Sequence, residues 1–113
     1  MKALTVSLAL LAATTAAQAN PWEPQMDLLS AGAAASVVVF HSCIGVTDQA
    51  VQAAAERLRQ AALNTPEPES AYRYASDSFE LKIKAMWQST DGECHSMNRL
   101  RSIASTTGFS LPK

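Results

Sequence analysis

The stretch LLSAGAAASVVVFHSCIGV, Leu28–Val46, decides how this chain folds. It runs for nineteen residues without a formal charge and carries Cys43, one of only two cysteines. Nothing else in the sequence is as apolar. A segment apolar on most faces has to lie at the centre of a domain or in a bilayer, so the rest of the chain is read as its cover. From Gln25 to about His41 the composition is alanine-rich and nothing breaks it, which predicts a helix. Val37-Val38-Val39-Phe40 is the competing signal, a β-branched and aromatic cluster that also suits a buried strand. The small residues Ala31, Gly32, Ala35 and Ser36 fall at i, i+4 spacing, so a neighbouring element can approach the helix closely.

Upstream of this core, residues 1–19 read as an export signal. Lys2 gives the positive start, Ala3 to about Thr15 the apolar run, and Ala17-Gln18-Ala19 the small-x-small cleavage pattern. The run is shorter than the roughly 20 residues a transmembrane helix needs. The expected mature chain is Asn20–Lys113, a single helical domain. Its net charge of −2 leaves no electrostatic footprint for nucleic acid. The charge is uneven, −4 over Asn20–Glu69 and +2 over Ser70–Lys113, an asymmetry that helps the chain fold back on itself.

In an exported chain with no third cysteine, Cys43 and Cys94 are expected to pair. A loop of about 50 residues closed by such a bond gives a chain-entropy gain on the order of 4 kcal/mol.

Downstream of the core, Gly45 is the expected helix stop, and Thr47 or Asp48 the cap of the next helix. Val51, Ala54, Ala55, Leu58, Ala61 and Ala62 then recur at three and four, predicting an amphipathic helix over Asp48–Leu63. Asn64–Ser70, with two prolines, is a connector, its Glu67 and Glu69 expected in water. Ala71–Gln88 fits two templates. As a helix it carries a core stripe of Tyr72, Ala75, Phe79, Ile83, Met86 and Trp87, with Tyr74 and Leu81 opposite. As a strand, Phe79–Trp87 buries Leu81 beside Phe79 and Ile83. Length and the lack of a turn signal favour the helix. Asp91 is the expected cap of a last helix from Cys94 to about Thr106. Gly108 is its stop, Arg99 and Arg101 lie toward its negative pole, and an extended tail follows.

The fold expected is therefore all-α, four helices tied by one disulfide. The alternative is α+β, with strands near Val37–Phe40 and Phe79–Trp87. No pattern calls for a cofactor, and none of the nucleophile or haem motifs is present. The chemistry expected is recognition, not catalysis: a binding module of the bacterial cell envelope, periplasmic or secreted, of the inhibitor, immunity or assembly-accessory kind. Its partner would be another envelope or secreted protein, with Trp22, Tyr74 and Leu81 as contact candidates. Two other readings stand beside it. His41 and His95 flank the cysteines and could serve a metal-handling protein. Leu28–Val46 could instead span a membrane as part of a larger complex.

Overall fold

In the computed structural model, residues 20–112 are described; the expected export signal, 1–19, lies outside the described residues. Four α-helices follow one another: α1 (Glu23–Cys43), α2 (Asp48–Leu63), α3 (Pro68–Gln88) and α4 (Asn98–Thr106). A single 3-10 turn, Cys94–Ser96, precedes α4. No strand occurs among the described residues, so the α+β alternative falls. Val37–Phe40 is helical because α1 is continuous through it, and tertiary burial outweighs the β-propensity of three valines.

α1 packs against all three other helices, and α2 packs also on α3. Met26, Ala33, Ala34, Ala35, Val37, Val38 and Val39 are all withdrawn from water along it. Each of the larger side chains among them contributes about 1.5–3 kcal/mol by burial. The chain runs up along α1, down along α2, up along α3 and down through α4. Trp22 accordingly meets Tyr74 at one end of the parallel α1–α3 pair, and His41 meets Trp87 at the other.

Hydroxyl groups link α1 to α3 midway. Ser30 is fully buried, and its Oγ lies 3.0 Å from Ser78 Oγ and 2.9 Å from the Asp27 carbonyl. Ser78 in turn donates to the Asp27 carboxylate at 3.3 Å and accepts from Lys82 Nζ at 2.6 Å.

Gly45 ends α1 with φ 81°, its N–H reaching the His41 carbonyl at 3.0 Å. That is the left-handed cap expected of a glycine there. Thr47 is the first residue outside α2 but does not cap it; its hydroxyl is turned instead to His41 Nδ1. α3 begins earlier than expected, at Pro68, because a proline in the first turn loses no hydrogen bond.

The last helix is shorter than its periodicity implied. Asp91 accepts from the Glu93 N–H at 2.9 Å and from Ser96 Oγ at 3.2 Å, which holds a turn instead of capping a helix. With α4 starting at Asn98, Arg99 and Arg101 fall in its first turn, not at its negative pole. Gly108 does stop α4: its N–H meets Ser105 O, and that of Phe109 meets Ala104 O at 2.9 Å.

The residues after Gly108 form no regular element, yet they are docked. Phe109 is buried, and the Ser110 carbonyl accepts from Ser36 Oγ at 3.2 Å. Gly32 makes this possible. A methyl group there would overlap the Thr107 hydroxyl and meet Phe109 at 2.9 Å.

Candidate functional site

Three places on the surface have chemistry to offer. The first is a groove of about 370 Å³ between α1, α2 and the docked C-terminal segment, walled by Phe40, Val46, Ala50, Ala53 and Phe109. Arg57 stands at its rim. Its guanidinium lies over the Phe109 ring at 4.7 Å and donates to the Gly108 carbonyl at 2.6 Å. With a further hydrogen bond from Nη2 to the Thr107 carbonyl at 3.4 Å, three contacts fix the cation, which stays exposed, so the groove pairs an apolar floor with one positive group.

The second is the disulfide end of the domain. Cys43 and Cys94 are bonded, with Cα atoms 4.9 Å apart, as the cysteine count implied. The bond joins the last residue of α1 to the 3-10 turn before α4. Arg101 reaches it from α4. Its Nη2 lies 3.1 Å from Cys94 Sγ, 3.3 Å from Cys43 Sγ and 2.9 Å from the Cys94 carbonyl. The two histidines considered as metal ligands are differently placed. His41 is exposed, with its Nδ1 engaged by Thr47 and its ring packed edge-on against Trp87 at 5.0 Å. His95 is exposed on the 3-10 turn. With both sulfurs bonded to each other, no thiolate is available to complete a Cys2His2 set. Among the described residues no group of three His, Cys, Asp or Glu side chains stands together.

The third is the outer face of α3. Leu81 is 68% exposed whereas Phe79, two residues away, is 6% exposed. Only the helical template separates those two side chains. Tyr74 shares that side but is half-buried, its ring edge-on to Trp22 at 5.6 Å. Its hydroxyl titrates above the usual tyrosine value, first because burial disfavours the phenolate and then because the Asp27 carboxylate adjoins it. Trp22 is not a surface anchor. It is 6% exposed, and its indole N–H donates to Glu67 at 3.1 Å, closing the end of α1 over α3. A ring with a satisfied N–H in a packed site is a core residue. Glu67 and Glu69 of the connector both remain exposed, as their setting between prolines implied.

No protein-family model matches this chain, and comparison with curated proteins and with solved structures found no match. The site therefore has to be read from its own geometry.

Arg57, Phe109 and Arg101 are the functional candidates that sequence patterning passed over. None sits in a local motif. Arg57 lies on what reads as the solvent face of α2, and its role depends on a segment some fifty residues downstream. Arg101 reads as a partner of a helix dipole until the start of α4 is known.

Proposed function

We propose that this chain is a small exported interaction module of the bacterial cell envelope, acting by binding another protein and not by catalysis. The observation that carries it is the groove between α1 and α2, apolar along its walls and positive at its rim. Such a site takes a partner segment that inserts a hydrophobic side chain beside a carboxylate, the carboxylate meeting Arg57. The disulfide accords with an oxidising compartment outside the cytoplasm. Leu81 is a second contact candidate on α3, and Tyr74 a partial one at the edge of the same face.

Capture from the envelope fraction of the source cells with the tagged mature form tests this. Ala53→Arg fills the groove at an exposed position and is expected to abolish capture with helicity intact. Leu81→Asp is expected to weaken it less. Capture lost in Leu81→Asp but kept in Ala53→Arg moves the interface to α3, and capture unaffected by both removes the groove and Leu81 from the reading.

The rival readings gain less. α1 has the length and composition of a membrane span, but more than half of its most apolar window is buried against the other helices. The metal reading has His41 occupied by Thr47 and Trp87, and no observation brings His95 to it.

A further inference from the structure

We propose that the Cys43–Cys94 bond is a thiol–disulfide exchange site, reducible by a dithiol because Arg101 is placed to hold the thiolate that reduction releases. A buried staple gains nothing from a cation against its sulfurs. A disulfide sulfur is a weak, neutral acceptor, whereas a thiolate makes a charge-assisted bond with a guanidinium. Arg101 therefore favours the reduced state over the oxidised one by the difference between those two contacts, and a thiol beside arginine has a lowered pKa. Both cysteines are half-buried, not enclosed in the core.

The geometry also orders the steps. Cys43 is the last residue of α1, at the negative pole of the helix, where a thiolate is disfavoured. Cys94 lies outside the α-helices, and the same Arg101 Nη2 that reaches its sulfur also donates to its carbonyl at 2.9 Å. Cys94 is thus the leaving sulfur. One thiolate of the dithiol attacks Cys43 Sγ, the Cys43–Cys94 bond breaks, and its electron pair stays on Cys94 beside Arg101. The second thiol of the reductant then attacks the mixed disulfide and releases Cys43, which takes up a proton. The reductant leaves as its own disulfide, two electrons having passed to the protein. Other charged groups at this end are Asp91 and Glu93 on the turn, His95 beside Cys94, His41 on α1 and Arg99 on α4. Among the described residues, Arg101 is the charged side chain that hydrogen-bonds to the sulfurs. The folded dithiol state is held without the bond by Met97, Leu100 and Ala104, all buried against the core.

The test equilibrates the whole mature protein with dithiothreitol redox buffers and counts the oxidised fraction by alkylation and mass. Arg101→Gln is expected to shift the equilibrium about tenfold toward the disulfide, which is about 30 mV for two electrons. Arg101→Lys, which keeps the charge, is expected to retain most of the wild-type value. A second readout needs no variant. Above the pKa of Cys94, the wild-type equilibrium is expected to take up one proton per two electrons, with a thiolate absorbance at 240 nm appearing below the ordinary thiol value of about 8.5. The proposal is overturned if Arg101→Gln leaves the equilibrium unchanged or moves it toward the dithiol, the sign expected of a brace for the oxidised bond. It is overturned equally if the reduced protein loses its helicity, or if both protons remain to pH 8.5.

Discussion

The two ends of α1 are held by different physics. At the start, Trp22 and Met26 are sealed from water, and Trp22 is fixed by an aromatic contact and a hydrogen bond to Glu67. At the finish, Ile44, Gly45, His41, Ala85 and Gln88 are exposed and a covalent bond ties α1 to the chain before α4. Burial suffices where a large aromatic can be enclosed. Where the end of α1 is itself exposed, a bond whose benefit comes from constraining the unfolded chain adds to the burial of Met97 and Leu100 beside it. The end held by burial should be rigid and unresponsive, and the end held by the bond open to chemistry.

Substitutions can break that contrast, and the largest effect is expected at the buried end. Trp22→Ala should destabilise by about 3–5 kcal/mol through lost burial and the cavity it leaves, read from urea unfolding. A cost under about 1 kcal/mol would show that the start of α1 is frayed. At the other end, Cys43→Ser and Cys94→Ser should each cost about 3–4 kcal/mol, and the double variant no more than either, because all three remove one bond. Additive losses would mean that the two cysteines stabilise independently. Between the ends, Gly32→Ala should cost about 1–3 kcal/mol, since the overlap with Thr107 exceeds the gain in helix propensity. A more stable Gly32→Ala protein would place the C-terminal segment elsewhere.

The titration of Tyr74 sharpens the same comparison. Its phenol is raised in the folded state, so its contribution to stability is complete below about pH 10 and lost as pH climbs through the folded value. Absorbance at 295 nm should show one tyrosine titrating late, and Asp27→Asn should bring that midpoint down. The smallest effect is expected at Leu81→Ala, within about 0.5 kcal/mol by thermal unfolding, because its side chain faces water.

How far these features were legible in the sequence follows from the range of the contacts that make them. The helix at about Asp48–Leu63 was readable because its pattern repeats every three to four positions, and the partner of Cys43 was readable because only Cys94 remained. The face of α3 was readable once a helix was chosen, since Phe79 and Leu81 part only at 100° per residue. Trp22 was misjudged because a tryptophan among prolines near a chain start resembles an exposed anchor, and only Glu67 and Tyr74, both far along the chain, enclose it. The docked tail, and with it the wall of the groove, was out of reach for the same reason. Gly32 gave a hint of close approach, but not that Thr107 and Phe109 would use it. Arg101 was misassigned by a four-residue error in where α4 begins, which exchanged one helix pole for the other.

The hydroxyl pair Ser30 and Ser78 has a consequence for alignment. α1 and α3 run parallel and are not joined directly, so no short loop sets how far one may slide along the other. Alanines and valines would pack almost as well after a shift of one turn, about 5.4 Å. Such a shift breaks the Ser30–Ser78 bond and leaves the Ser30 hydroxyl only the Asp27 carbonyl of its own helix, a loss of about 0.5–1.5 kcal/mol. Two small polar groups thereby act as the notch that selects a single register from several of nearly equal packing.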